Sequence, residues 1–264
     1  MSQDVLYVGG LQLNLRWESP AENRKMIESF CEDNPFSGDV LILPEMFSTG
    51  FTMNPGPYAE DMEGPTIKWM RESAQKWNTL IMGSIIIRVA SGYRNRFLAV
   101  GPEGILAHYD KRHPFSMSGE DQHYEAGEEK VVFRYKGWRI CPMICYDLRF
   151  PVWSRNIGVR KGEELYDLLI YVANWPEKRV GHWETLLQAR AIENQSYVIG
   201  VNRVGTDGYK LRYSGNSVIV DSLGEIVDKK TEVEGRVEST LHMDHLKKVR
   251  NKLPFLADGH GVKV

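Results

Sequence analysis

Three side chains in this sequence combine reactive types with a repeated local setting. Cys145 follows the apolar run Trp138-Arg139-Ile140-Cys141-Pro142-Met143-Ile144 and opens the segment Cys145-Tyr146-Asp147-Leu148-Arg149-Phe150-Pro151, which puts its thiol just past a buried strand. Val40-Leu41-Ile42-Leu43 leads in the same way into Pro44-Glu45, and Ile105-Leu106-Ala107-His108-Tyr109-Asp110 leads into Lys111. A cysteine attacks as thiolate, so either positive charge must lower its pKa or a base must take its proton. Lys111 can do the first, which would make Cys145 more reactive than Cys31 or Cys141 at neutral pH, and Glu45 can do the second. Attack on an amide carbonyl creates an oxyanion that Lys111 and the backbone N–H of Tyr146 can hold together. Glu45 can then protonate departing ammonia and later activate the water that cleaves the thioester. This chemistry is C–N hydrolysis without a cofactor or metal. Each residue alone has an ordinary explanation: a buried apolar cysteine, a turn-capping glutamate, a surface lysine. The set, with each member at a strand end, is what points to one site.

The elements that must position these residues can be traced along the chain. Val5 to Gln12 reads as a strand, and Ser19-Pro20-Ala21-Glu22 as an N-cap serine, a proline at the first helical position and a capping-box glutamate for a helix to about Cys31. Val40 to Leu43 is a continuous apolar run suited to a strand covered on both faces. A helix from Pro65 places Ile67, Met70, Ala74 and Trp77 at helical spacing. Leu80 to Val89 and Arg96 to Val100 read as strands, and Gly101-Pro102-Glu103-Gly104 as a hairpin turn into Ile105 to Tyr109. Leu168 to Ala173 forms a buried strand ending at Asn174-Trp175-Pro176. A helix over His182 to Asn194 follows, then strands Tyr197 to Asn202 and Ser217 to Asp221, with turns at Gly205-Thr206-Asp207-Gly208 and Ser222-Leu223-Gly224-Glu225. The tail from Leu241 has no clear period. Helices alternating with strands, interrupted by hairpins, indicate an α/β layer protein with mixed sheets.

The 264 residues are 42% hydrophobic, with no linker or shift of composition, and read as one domain with a core over about 5–244 and a tail over 245–264. The net charge of -2, with both signs interspersed, gives no footprint for nucleic acid or an anionic membrane. A small polar solute is the expected partner. Met1-Ser2-Gln3-Asp4 lacks the start of a secretory signal, no apolar run is long enough for a membrane span, and the three cysteines match neither a disulfide framework nor a metal pattern. A reducing cytoplasm is the expected setting.

Leu43-Pro44-Glu45-Met46, Tyr109-Asp110-Lys111-Arg112-His113 and Ile144-Cys145-Tyr146-Asp147-Leu148-Arg149-Phe150-Pro151 resemble, in order and spacing, the three signatures of the carbon–nitrogen hydrolase, or nitrilase, superfamily. The resemblance spans about Val5 to Asp244. It implies a four-layer αββα sandwich, a homodimer paired through helices beside the nucleophile, and a Glu-Lys-Cys triad at Glu45, Lys111 and Cys145. It also implies a second active-site glutamate. The segment Glu120-Asp121-Gln122-His123-Tyr124-Glu125-Ala126-Gly127 matches that part of the family pattern at Glu120, with Glu125 and Glu128 close by in sequence.

The stretches Cys145-Tyr146-Asp147, Ala173-Asn174-Trp175-Pro176, Ala189-Arg190-Ala191-Ile192-Glu193-Asn194-Gln195, Gly200-Val201-Asn202-Arg203-Val204-Gly205 and Leu253-Pro254-Phe255-Leu256-Ala257-Asp258 are similar to the bacterial omega-amidase branch. That branch implies hydrolysis of 2-oxoglutaramate and 2-oxosuccinamate to the 2-oxo dicarboxylate and ammonia. A substrate carboxylate remote from the amide needs a cation or several N–H donors, for which Arg179, Lys178 and Arg203 are candidates. Trp175, Phe51 and Phe115 are candidates for an apolar wall. Arg149 and Asp147 are expected to pair with each other and hold the turn after Cys145, and Asp110 to be an ion-pair partner. Other readings are an N-carbamoyl amine hydrolase, an aliphatic amidase, a Cys-His hydrolase using His108, His113, His123 or His182, and a silent scaffold with the same fold.

Overall fold

The computed structural model describes residues 4–158 and 163–259. The expectations for Met1-Ser2-Gln3 and for the last residues of the tail, 260–264, lie outside the described residues. In chain order the elements begin with β1 (Val5–Gln12), α1 (Pro20–Asp33), β2 (Val40–Ile42), α2 (Pro65–Trp77), β3 (Leu80–Val89), β4 (Gly92–Gly101) and β5 (Gly104–Asp110). The middle holds α3 (Glu120–His123), β6 (Phe133–Tyr135), β7 (Trp138–Ile144), α4 (Pro151–Ser154), β8 (Leu168–Ala173), α5 (Val180–Asn194) and β9 (Tyr197–Asn202). The chain then runs through β10 (Val204–Thr206), β11 (Arg212–Val220), β12 (Ile226–Thr231), β13 (Gly235–His242), α6 (Met243–Lys252) and α7 (Phe255–Asp258). Among the described residues no helix is long and apolar enough to cross a membrane.

Two mixed sheets pack face to face. One has the order β13-β1-β2-β3-β4-β5, and the other β10-β11-β9-β8-β7-β6 with β12 beside β11. The pairs β1–β2, β2–β3, β7–β8 and β8–β9 are parallel, and hairpins extend both sheets. Because successive residues of a strand face opposite sides, the apolar runs serve two layers at once. Val40, Ile42, Leu80 and Met82 enter the core between the sheets, while Leu41 and Ile81 join Ile27 and Cys31 of α1 and Ile67, Met70 and Ala74 of α2. On the far side α5 buries Trp183, Leu187 and Ala191 against the second sheet. Gly200 permits that approach, since a Cβ there would lie 2.4 Å from Leu187 and 2.7 Å from Trp183. Helix, sheet, sheet, helix is the expected αββα arrangement, and each fully buried Leu, Ile or Val in it contributes roughly 1.5–3 kcal/mol of transfer free energy.

Four expectations change. Ser19 stands at the N-cap of α1 but its side chain does not cap the helix; its hydroxyl donates to the Trp17 carbonyl, and Glu22 points outward to Arg16. The turn placed at Gly205 to Gly208 begins later, because Val204 to Thr206 pair with β11. The unperiodic tail is β13 continuing into α6, which buries only Met243, Leu246 and Val249. Arg149 and Asp147 do not pair. Asp147 instead accepts from the Ile144 N–H, the Tyr109 hydroxyl and the His113 N–H, so it holds the turn after β7 without an arginine. Asp110 does pair, with Arg94 and Arg96.

Candidate active site

Each reactive group sits where a strand stops. Pro44 has no N–H to continue the β2 ladder, and Glu45 stands in the turn beyond it, followed by Met46 in the left-handed region at φ 45°. Lys111 extends the β4–β5 ladder by one bond, its N–H donating to the Asn95 carbonyl at 3.0 Å. Cys145 directly follows β7 and is itself left-handed at φ 44°, a conformation that costs a side-chain-bearing residue energy and persists only where neighbours enforce it. The enforcement comes from Asp147, and from Arg190 of α5, whose guanidinium donates to the Leu148 carbonyl at 2.6 Å. Cys145 opens a short 3-10 helix through Arg149, so the Tyr146 N–H lies in its first turn, where backbone donors have no partner within the helix.

The face-to-face sheets bring Glu45, Lys111, Glu120 and Cys145 together, all buried. Lys111 Nζ donates to Glu45 Oε1 at 2.8 Å and to Glu120 Oε2 and Oε1 at 2.8 and 3.0 Å. Glu120 also accepts from the Phe115 N–H at 2.5 Å, whereas Glu125 lies on Ser91 and Arg94, away from the cluster. Asn95 donates from one amide nitrogen to Glu45 Oε1 at 2.8 Å and Glu120 Oε1 at 3.2 Å. Asn174 donates its N–H to Glu45 Oε2 at 2.8 Å.

The charge balance follows from this geometry. Burial alone would pull the Lys111 pKa down, but Glu120, Glu45 and the neighbouring Cys145 reverse that and hold it well above the ordinary lysine value. Glu120 is raised by burial and by Glu45, with Lys111 opposing. The Cys145 thiol is pushed far up, first by burial and then by Glu45, with Lys111 only partly compensating. Lys111 still pulls the thiol down, but its charge is shared with two carboxylates and burial outweighs it. Glu45 is the carboxylate that acts most strongly on the thiol.

A cavity of about 530 Å³ opens onto Cys145. Trp175, Phe51 and Phe115 all line it, together with Tyr146 and Asn174. Trp175 is also core, packed on Trp183 at 5.5 Å and donating its indole N–H to the Arg179 carbonyl. Of the proposed cations only Arg179 reaches the cavity, above the Phe115 ring. Lys178 is exposed outside it. Arg203 is buried behind the wall, bonded to the carbonyls of Leu15 and Val204 and stacked on Tyr213. The cation that the sequence reading assigned elsewhere is Arg149, which lines the cavity with its guanidinium 4.8 Å from the Trp175 ring centre. Its position four residues after Cys145, one turn along, was the available signal. Among the described residues no histidine lines the cavity; His113 lies on Asp147 and His182 on Arg149.

An αββα sandwich with a cysteine, a glutamate and a lysine at strand ends and a second glutamate at the start of α3 defines a carbon–nitrogen hydrolase, and the chain belongs to that family, whose model, described as carbon-nitrogen hydrolase, matches residues 8–251. Omega-amidase YafV of Yersinia enterocolitica is 45% identical to it over 94% of each chain. The 2-oxoglutaramate amidase of Bacillus subtilis is 33% identical, over 94% of this chain and 95% of its own. In structure the chain is similar to XC1258 of Xanthomonas campestris, a CN-hydrolase superfamily protein with an arsenic adduct in the active site. The two align with a TM-score of 0.95 at 41% identity, covering 99% of this chain and 100% of the other.

Proposed function

We propose that this protein is an omega-amidase that hydrolyses small 2-oxo dicarboxylic acid monoamides, 2-oxoglutaramate and 2-oxosuccinamate, through a thioester on Cys145. The observation that carries the reading is one cavity with Cys145 at its floor, backed by Glu45 and Lys111, and two arginines, Arg149 and Arg179, in its wall. The names of the Yersinia and Bacillus relatives agree with it.

In this reading Glu45 takes the thiol proton as Sγ attacks the amide carbon. The carbonyl electron pair moves onto oxygen, where the Lys111 ammonium and the Tyr146 N–H receive it. Collapse of the tetrahedral adduct breaks the C–N bond, and Glu45 returns the proton to the departing nitrogen, which leaves as ammonia. A water then occupies the vacated side, Glu45 takes one of its protons, and hydroxide adds to the thioester carbon. A second collapse breaks the C–S bond, Glu45 returns its proton to sulfur, and the new carboxyl group loses its own proton as the dicarboxylate leaves. Glu120 shares Lys111 with Glu45 and fixes the ammonium. Arg149 and Arg179 receive the remote carboxylate, the interaction that separates these substrates from N-carbamoyl amines and simple aliphatic amides.

The reading includes one hydrolase domain, a cytoplasmic setting and a homodimer. Supporting the dimer, Val152, Ile192 and Phe255 are exposed on α4, α5 and α7, adjoining elements tied by bonds from Arg155 to Glu193 and from Gln195 to Leu253. The test is ammonia release from 2-oxoglutaramate, 2-oxosuccinamate, glutamine, asparagine and an N-carbamoyl amine by wild type and Cys145→Ala. The two 2-oxo amides should be turned over fastest and only by the wild type. Equal turnover by both proteins ends the reading, and preference for the carbamoyl compound moves the chain to another branch of the family.

A further inference from the structure

Asn95, on β4, lies beneath the site and outside the cavity wall, 1% exposed. Its amide nitrogen has two hydrogens, and the two bonds it makes run to Oε1 of Glu45 and Oε1 of Glu120. Lys111 Nζ contacts the same two oxygens. The Asn95 side-chain oxygen, in contrast, is buried with no hydrogen-bond partner among the described residues. A buried amide that leaves its oxygen unpaired while both N–H groups meet carboxylates is oriented by those carboxylates. The Asn95 carbonyl also receives the Lys111 backbone N–H, so this one residue bonds to both carboxylates and to the main chain of the lysine between them.

We propose that Asn95 is a positioning residue of the amidase reaction, its single NH2 group clamping the base Glu45 and the second carboxylate Glu120 about Lys111 so that Glu45 is held in place to accept the Cys145 thiol proton. The physical basis is a charge count. Two carboxylates face one ammonium in a buried site, leaving one negative charge for neutral donors to stabilise. Asn95 supplies one such donor to each carboxylate without adding charge, which no cation or acid at this position would do. An N–H donated to a carboxylate favours its charged form; removal of that donor favours protonation. This inference rests on the assignment of Glu45 as base but not on the identity of the substrate.

The test compares wild type, Asn95→Ser and Asn95→Asp. Asn95→Ser keeps a small polar group but at most one donor, and Asn95→Asp keeps the shape while placing a third acid beside the pair. Two profiles are recorded against pH: kcat/KM for 2-oxoglutaramate, and the rate of iodoacetamide alkylation of Cys145 read on its peptide by mass spectrometry. Far-ultraviolet circular dichroism and a thermal melt report the folded fraction. For Asn95→Ser the acid limb of both profiles should move to higher pH by about one unit, the scale of one charged hydrogen bond. For Asn95→Asp kcat should fall at least about a hundredfold with little change in KM, as loss of a transition-state arrangement requires. A residue that only supports the fold would lower the active fraction and leave the acid limb where it was, and that result overturns the proposal. If Asn95→Asp does not fold, the Asn95→Ser profile decides alone. If the wild type does not hydrolyse 2-oxoglutaramate, the substrate assignment fails separately, and the alkylation profile still judges Asn95.

Discussion

Asn174 holds Glu45 at two points: its backbone N–H donates to Oε2 at 2.8 Å and its side-chain amide donates to the Glu45 main-chain oxygen at 2.7 Å. Glu45 follows β2 of one sheet and Asn174 follows β8 of the other, next to the strand that delivers Cys145. The carboxylate is thereby fixed by the sheet that carries the thiol. Asn174→Ala removes the side-chain half of this bridge and leaves Glu45 tied to the nucleophile's sheet by the backbone bond alone. Steady-state kinetics should show kcat reduced by roughly a hundredfold, the scale of a misplaced reactive group, with a smaller change in KM. An unchanged kcat would mean that the backbone bond alone positions Glu45.

Lys111 neutralises two buried carboxylates, so its loss should damage stability as well as turnover. Lys111→Met leaves Glu45 and Glu120 facing each other without a cation, which costs about 3–5 kcal/mol for a broken buried pair. Urea denaturation at neutral pH reads this. Adding Glu120→Gln should restore part of the stability and none of the activity, because one excess charge is removed while the oxyanion partner stays absent.

The raised thiol pKa has a spectroscopic consequence. A thiolate absorbs near 240 nm, and a neutral thiol does not. Since burial and Glu45 hold the Cys145 pKa far above its usual value, the difference in absorbance between wild type and Cys145→Ala should show no titration step from about pH 5 to 8. A step in that window would restore Lys111 as the activating group and remove the need for Glu45 to accept the thiol proton.

The two cavity arginines should separate from the exposed lysine beside them. Arg149→Met and Arg179→Met should each raise KM for 2-oxoglutaramate by about tenfold or more, equivalent to about 1.4 kcal/mol or more of lost carboxylate recognition. Lys178→Met should leave KM unchanged. Comparable effects from all three would point to long-range attraction by net charge, and added salt would then weaken binding in parallel.

The strands that hold the site could be read closely. Leu168–Ala173 and Tyr197–Asn202 were placed to the residue because central parallel strands, covered on both faces, are continuous apolar runs bounded by polar turns. The peripheral pieces were less legible. In β12 no residue is fully buried, and α6 buries three side chains, so little apolar patterning is required of either. Ser19 carried a capping pattern, yet a local bond to Trp17 satisfied its hydroxyl first.

The order of residues alone determined the chemical inventory: a thiol, a carboxylate and an ammonium, each just past a strand, on a chain able to form two mixed sheets. Glu120 joined them through its match to the family pattern. Tertiary structure decided the electrical state of that inventory and which cations reach the cavity. Lys111 meets Glu45 across 66 positions and Glu45 meets Asn174 across 129, so whether the lysine is free to lower the thiol pKa depends on distances no local pattern encodes. Arg149 and Arg203 differ in the same way: both are arginines near apolar strands, but one faces the cavity and the other spends its donors on carbonyls behind the wall. Coulomb energy and burial depend on separation in space, and that separation is set only when the two sheets pack.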